Sequence, residues 1–363
     1  MTPETPERLP PPRQPRVLVV GCGGIGGVVA ASLLQHPPGV LGELVGLSTN
    51  PDIAEAIRAR GYRLRGGRAG HGGRVVTRLS EADGPFDWII LATQPPQVEA
   101  AAADALHALA PDGALVCLQN GLCEERVARL AGPERVVGAI VAWGASMPEA
   151  GLYERTSEGG FTLGTLGGVT HPHLSELALL LEAVGPVTVS DNLIGARWSK
   201  LAFNCAVSTL GTIGGDRVGP LLSRRFVRRL GLEIMSEVVA VAAAEGVRLE
   251  KISGTLDLNA MALTPTERVS NGSASLVAKH ALLLAVGMRY RRMRSSMLSA
   301  IERGRPPAVD FLNGEIVSRG ARHGLPTPAN AAASAAVHAI AQGHQRSSVD
   351  ALRALAGELG VRV

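Results

Sequence analysis

Lys200, Asn204 and Ser208 recur at intervals of four, a spacing that sets three polar side chains on one face of a helix. Leu201, Ala202, Phe203, Cys205, Ala206 and Val207 surround them with apolar groups. A polar stripe on so apolar a helix needs partners, because an unmatched buried amide or ammonium is costly. Either it lines a cavity or it pairs with other buried polar groups. Lys200 itself has two readings: a surface lysine whose stem covers apolar neighbours, or a general acid that protonates an alkoxide formed by reduction, its charge stabilising that oxygen beforehand.

A source of reducing equivalents is suggested near the other end of the chain. Gly21, Gly23 and Gly26 stand at GxGxxG spacing within Gly21-Cys22-Gly23-Gly24-Ile25-Gly26. Such glycines let the backbone turn sharply, approach a pyrophosphate and pack a helix close to a strand, while the helix N-terminus aims its N–H groups at the phosphate. In a chain with 44 glycines among 363 residues the motif alone says little. Its placement says more, since it follows the β-branched run Arg16–Val20 and opens an apolar helical stretch through Leu34, ended by Pro37 and Pro38.

A second strand is expected at Glu43–Leu47, then a polar turn at Ser48–Pro51 and a helix from Asp52 to about Arg60, stopped by Gly61. An NAD site usually ends this strand in Asp or Glu, which repels a 2′-phosphate. Here the place holds Leu47-Ser48-Thr49-Asn50. Hydroxyls and an amide can donate to a phosphate, with Arg58 or Arg60 as nearby cations, so NADP(H) is favoured over NAD(H); Asp52 competes if the strand end shifts.

These residues must be held by regular elements. Further strands are expected at Trp88–Ala92, Ala114–Leu118, Val136–Ala142, Phe161–Leu166 and Val187–Ser190, with helices at Gln97–Leu109 and between the last two strands. Strands alternating with helices imply a parallel sheet. After Ile194 the pattern turns to long helical periods, at Ile194–Leu210, Arg225–Glu245, Ala274–Met288 and Val309–His323, with helices from Ala329 and Val349 closing the chain. The expected fold is α/β: a disordered tail over 1–15, a Rossmann doubly wound parallel sheet over 16–191, and an all-helical substrate and dimerisation domain over 192–363.

Length alone favours two domains. With 46% hydrophobic and 19% charged residues and a net charge of +4, the composition is globular. Basic residues seldom interleave with aromatics, which argues against nucleic-acid binding. The clusters Arg224, Arg225, Arg228, Arg229 and Arg289, Arg291, Arg292, Arg294 are expected to form solvated faces. Cys22, Cys117, Cys123 and Cys205 form no CxxC pair, which suits a reducing cytoplasm, and no signal peptide or membrane anchor is expected. His171 and His173 flank Pro172 without a third ligand nearby, so no metal site is expected. Lys279 and His280 are expected at the edge of a core, while Asp310 and Asn313, one turn apart, are expected to bond each other or cap a neighbouring element.

In combination the motifs identify a resemblance. Gly21-Cys22-Gly23-Gly24-Ile25-Gly26, Gln119-Asn120-Gly121, Lys200-Leu201-Ala202-Phe203-Asn204, Ser295-Ser296-Met297 and Asp310-Phe311-Leu312-Asn313-Gly314 follow the order seen in ketopantoate reductases, members of the 6-phosphogluconate-dehydrogenase-like group. The chain resembles that family from Arg16 to about His338. The resemblance implies that Lys200 is the general acid, that Asn120 sits beside the nicotinamide, and that Asn204 and Ser296 hold the substrate's polar groups; Asn120 and Ser208 are expected to help orient them. The expected cofactor site comprises Gly21, Cys22, Gly23, Gly24, Ile25, Gly26, Thr49, Asn50, Gln94, Asn120 and Gly144.

Four positions depart from the family pattern. The arginine after the second strand is Asn50, the lysine after the fourth strand is Gln94, the second asparagine of the lysine helix is Ser208, and the glutamate before Asp310 is Ala308. Such changes leave the reaction type in place and the choice of carbonyl open. The expectation is therefore NADPH-dependent reduction of a small 2-oxo acid, with substrate entering between the domains of a homodimer-forming cytoplasmic protein. A reductase of another ketone, 2-oxo acid or imine, or a non-catalytic NADP-binding sensor, are the alternatives.

Overall fold

The computed structural model describes residues 13–361 apart from 68, 71–72, 169, 253–255 and 270–271. The expected tail lies outside the described residues over 1–12. Its last three residues are not a tail: Arg13 forms an ion pair with Asp87 and approaches Asp112 at 3.5 Å, and the Pro15 carbonyl accepts from the Gly42 N–H at 3.0 Å. The chain divides into two compact units, residues up to 119 with 124–191, and residues 120–123 with those from 192 onward.

The first unit has strands β1 (Arg16–Val20), β2 (Glu43–Leu47), β3 (Tyr62–Leu64), β4 (Ala69–Gly70), β5 (Arg74–Val76), β6 (Phe86–Leu91), β7 (Leu109–Cys117), β8 (Val136–Val141), β9 (Ala145–Glu149), β10 (Leu152–Arg155), β11 (Phe161–Thr165) and β12 (Val187–Val189). Its helices are α1 (Gly24–Leu33), α2 (Pro51–Arg60), α3 (Val98–Ala105), α4 (Cys123–Ala131) and α5 (Leu174–Leu181). The main sheet runs β12-β11-β8-β7-β6-β1-β2-β5. Val17, Leu18 and Val19 of β1 are wholly buried, as central strands of a sheet covered on both faces require.

Every neighbouring pair in this sheet is parallel except β8 and β11. The sheet is thus parallel as expected, with one antiparallel step at that pair. Parallel neighbours need a crossover, usually a helix; between β8 and β11 the chain makes only β9 and β10, and so returns antiparallel. A second sheet, β4-β3-β10-β9, was not expected, because its strands are two to five residues long and carry no sustained alternation. The expected helix over Gln97–Leu109 also ends early: α3 stops at Ala105, a 3-10 turn spans Leu106–Ala108, and β7 begins at Leu109.

The second unit is built from α6 (Leu193–Gly214), α7 (Val218–Leu222), α8 (Arg225–Ala244), α9 (Leu258–Met261), α10 (Pro265–Val269), α11 (Ala274–Arg289), α12 (Ser296–Ile301), α13 (Asn313–Arg322), α14 (Pro328–Ala341) and α15 (Val349–Glu358). Among its described residues the only β pairing is the isolated bridge between Ile252 and Leu256. Its core gathers Trp198, Leu201, Ala202, Cys205 and Leu210 of α6 with Leu230, Ile234 and Val238 of α8 and Ala333 and Val337 of α14. The expected helix over Val309–His323 is broken at Leu312 (φ −117°, ψ −97°), which separates a 3-10 turn at Ala308–Phe311 from α13.

The first arginine cluster is not simply a solvated face. Arg228 donates to the carbonyls of Leu222 and Ser223, where α7 ends, and Arg229 donates to the carbonyls of Glu267 and Arg268 and pairs with Glu233 at 2.9 Å. Arg289, Arg291 and Arg292 are exposed, as expected. Among the described residues no helix is long and apolar enough to cross a membrane.

Candidate active site

In the first unit the carboxyl end of β1 turns directly into the glycine loop. Gly21 adopts φ +101°, and a Cβ there would meet the Ala92 backbone at 3.0 Å. At Gly26 a Cβ would lie 2.0 Å from the Gly21 carbonyl oxygen, so only glycine lets α1 start this close to the strand end. Gly23 differs, because a Cβ there would meet nothing within 4 Å. Gly23 also N-caps α1 without a side-chain bond, and no acidic residue occupies the first turn. An uncapped helix start beside open space and free of negative charge fits a dinucleotide pyrophosphate.

The loop is buttressed from behind by the small sheet. Tyr153 of β10 donates its hydroxyl hydrogen to the Cys22 carbonyl at 3.1 Å, and Tyr62 of β3 donates to the Arg74 carbonyl at 3.2 Å, the two rings stacking with centroids 6.5 Å apart. A Cβ at Gly27 would lie 1.9 Å from the Tyr153 ring, and one at Gly46 would lie 1.9 Å from the Tyr62 hydroxyl. Burial pushes the Cys22 thiol up to about 12 and raises both phenols, so all three stay neutral. Cys22 therefore packs under the loop rather than reacting. The sequence reading missed both tyrosines; the signal it held was glycine inside β2 and a second glycine beside Gly26, each marking a close approach.

Around the loop lie the other expected cofactor residues of this unit. Thr49 and Asn50 are exposed after β2, and the Asn50 side-chain oxygen accepts from the Asp52 and Ile53 N–H groups at 2.9 and 3.2 Å. Asn50 is thus the N-cap of α2, with only its amide N–H₂ left to donate outward. Asp52 lies within the first turn of α2 and not at the strand end, which closes at Leu47. Arg58 and Arg60 are not near this turn, a correction to the expectation. Arg58 stands at the far end of α2, about 12 Å along the axis from Asn50 at 1.5 Å per residue, and Arg60 faces Glu149 at 3.9 Å.

Gln94 is exposed after β6, and its backbone N–H donates to the Gln97 side chain at 3.3 Å. Gly144 accepts from the Thr156 N–H at 2.9 Å, and the next residue, Ala145, lies against Gly24 at the start of α1. Gln119, at the end of β7, donates to the Leu91 and Thr93 carbonyls at 3.0 and 3.2 Å, tying the β6 and β7 ends together.

The second unit holds the remaining candidates. Asn192 caps α6 by accepting from the Gly195 N–H at 3.1 Å. Along the helix Lys200 is half-buried, Asn204 is 9% exposed and Ser208 is half-buried. The Ser208 carbonyl accepts from the Thr212 hydroxyl at 2.9 Å, and Thr212 shares a 2.8 Å bond with Ser295, the N-cap of α12. Exposed Ser296 follows immediately, one residue beyond this contact with the turn of α6 that comes after Ser208. Asn120 is half-buried and its carbonyl accepts from the Cys123 thiol at 3.5 Å. Beside it Gly121 takes φ +90°, where a Cβ would lie 2.5 Å from the Phe311 carbonyl.

The other face of α6 carries a buried network. Asn313 is wholly buried, donating to the Cys205 carbonyl at 3.1 Å and to Asn330 at 3.0 Å while accepting from Thr209 at 2.6 Å. Glu237 then accepts from the Ala329 and Asn330 backbone and the Asn330 side chain at 2.7–2.9 Å, capping α14. Burial raises the Glu237 pKa against these donors. Asp310 and Asn313 do not bond each other, against one of the two expectations; Asp310 is exposed and faces His338 at 2.8 Å.

The histidine pair is structural in its contacts. His171 packs against Trp88 with centroids 5.1 Å apart, and His173 faces Asp112 at 3.3 Å. Lys279 is buried against Glu267 at 2.5 Å, and His280 is 8% exposed, so both lie deeper than a core edge.

Residues 17–168 match the family sequence model described as ketopantoate reductase PanE/ApbA, and residues 192–341 match that described as ketopantoate reductase PanE/ApbA C terminal. A 2-dehydropantoate 2-reductase of Caulobacter vibrioides is 30% identical over 90% of this chain and 99% of its own. Another from Pyrococcus horikoshii is 26% identical, over 87% and 94% respectively. The crystal structure of a PanE/ApbA family ketopantoate reductase from Ralstonia eutropha superposes with a TM-score of 0.73 at 26% identity, covering 91% of this chain and all of that one. Two matching halves in sequence order, and a relative aligned over nearly its full length, place the chain in the ketopantoate reductase family, oxidoreductases that act on a CH–OH/C=O pair with NADP(H).

Proposed function

We propose that this protein reduces a small 2-oxo acid of the 2-dehydropantoate type to the 2-hydroxy acid, with Lys200 as the proton donor. The observation that carries this reading is the stripe on α6, where half-buried Lys200 and Ser208 flank Asn204 on a helix otherwise packed into the core. NADPH, when bound, supplies the hydride to the carbonyl carbon. The ammonium of Lys200 stabilises the oxygen as negative charge grows there and transfers one N–H proton to it, leaving a neutral amine that regains a proton from water. Asn120, Asn204, Ser208 and Ser296 orient the substrate's carboxylate and hydroxyl, a task suited to neutral donors and acceptors.

The glycine loop, Thr49, Asn50, Gln94, Asn120 and Gly144 are assigned to the cofactor, and the helical residues from 192 onward to substrate and to a second copy of the chain. Val277, Leu284 and Met288 of α11 are exposed, which supports assembly through that unit.

A second reading, reduction of a different 2-oxo acid, ketone or imine, is favoured by one feature. Ala308, half-buried in a 3-10 turn, offers a methyl group where the family pattern has a carboxylate. The test is loss of NADPH absorbance with 2-dehydropantoate beside a panel of 2-oxo acids, ketones and imines. A turnover preference for 2-dehydropantoate supports the first reading, and a preference for another carbonyl or imine supports the second. Tight NADPH binding without turnover on any of them would overturn both.

A further inference from the structure

The position after β2 that would hold a cation for a 2′-phosphate is Asn50, and its side-chain oxygen is committed to capping α2. The cations on that helix, Arg58 and Arg60, stand at its other end. A dianionic phosphate at the β2 end therefore needs its positive charge from a different element.

That element is the sheet-edge strand β5. It runs parallel to β2 with Leu47 opposite Val76, and the Ser48 N–H donates to the Val76 carbonyl at 3.0 Å, so the two chains leave the sheet side by side. Neighbouring strands lie about 4.8 Å apart, and the residues that follow are Thr77 and Arg78. Among the described residues, Arg78 is the only cation within three positions after the carboxyl ends of β1, β2, β5, β6 and β7.

Its surroundings hold the turn in place and present the guanidinium outward. Glu81 accepts from the Thr77 N–H at 3.0 Å and from the Arg78 Nε–H at 3.0 Å, which fixes the turn and engages the guanidinium at its inner nitrogen. The Arg78 side chain is 79% exposed, and its two terminal nitrogens, the pair that forks onto phosphate oxygens, have no partner among the described residues. The Thr49 hydroxyl and the Asn50 amide are neutral donors on the adjoining turn.

Resting on the NADP(H) reading above, we propose that Arg78 reads the 2′-phosphate, taking over from the edge strand the charge that residue 50 lacks. Arg78 is then a specificity-determining residue: it selects the phosphorylated adenosine without touching the nicotinamide end.

The test is calorimetric binding of 2′,5′-ADP and of 5′-ADP to the full chain, wild type against Arg78→Gln and Arg78→Lys, with folding verified by thermal unfolding. Loss of a charge-assisted fork predicts 2′,5′-ADP binding weakened on the order of 10–100-fold in Arg78→Gln. 5′-ADP binding should change less than about threefold, and Arg78→Lys should recover part of the loss with a steeper dependence on salt. Unchanged 2′,5′-ADP binding in Arg78→Gln, or an equal loss for both ligands, overturns the proposal. A wild type that binds neither ligand would instead overturn the cofactor reading on which it rests.

Discussion

The Tyr153 hydroxyl reaches across from β10 to the Cys22 carbonyl at 3.1 Å, while its ring occupies the space that any side chain at position 27 would need. The dinucleotide loop is thus shaped from two sides, by its own glycines and by an aromatic plug from the small sheet.

Gly27→Ala should therefore cost about 1–3 kcal/mol through overpacking against the ring and should weaken NADPH binding as the loop is displaced. Tyr153→Phe keeps the ring and loses one hydrogen bond, about 1 kcal/mol. Thermal unfolding with and without NADPH would show both, and an alanine at 27 that leaves melting and binding unchanged would refute the plug.

Lys200→Ala should lower kcat by on the order of 10²–10⁴ with NADPH affinity little altered, since a general acid acts in the transition state. Stopped-flow reduction together with fluorescence titration of NADPH separates the two effects. Wild-type turnover in this variant would remove the lysine from the chemistry.

Burial, then the charges of Arg228, Arg225 and Arg229, pushes His280 down to about 4 from an ordinary value of 6.5. Between those two pH values the unfolded chain binds a proton that the folded chain refuses. The stability this residue allows is full above about pH 6.5 and falls as the medium is acidified toward about 4. Denaturant titrations at pH 7 and pH 5 should show a smaller drop for His280→Gln than for the wild type; equal drops would contradict the assignment.

Asn313→Ala leaves the Thr209 hydroxyl and the Asn330 side chain short of a buried partner each. Unsatisfied buried groups cost about 1–3 kcal/mol apiece, so the midpoint of urea unfolding should fall clearly. A variant as stable as the wild type would mean that water repairs the gap.

Much of this architecture was legible in the chain. β1 and β2 begin and end where expected, at Arg16–Val20 and Glu43–Leu47, because the middle of each is buried and apolar and a turn follows each. α6 announced itself by its stripe. What was not read has physical causes: β9 and β10 are too short to show alternation, the direction of the β8–β11 pair depends on a missing crossover that only topology reveals, and the kink at Leu312 lies inside an unbroken helical period. The roles of Tyr62 and Tyr153 escaped notice because neither stands near the loop in sequence. Arg58 and Arg60 looked close to the 2′-phosphate only until the helix carrying them was given a direction.

Leu122 lies in the four-residue stretch 120–123 that groups with the helical unit, and it is 5% exposed within that unit's core. The two halves are consequently not exchangeable cassettes. A chimera joined only at 191 would graft one relative's peg into another's socket, so recombination between family members should succeed best where the residue at 122 and the helices that receive it descend from the same parent.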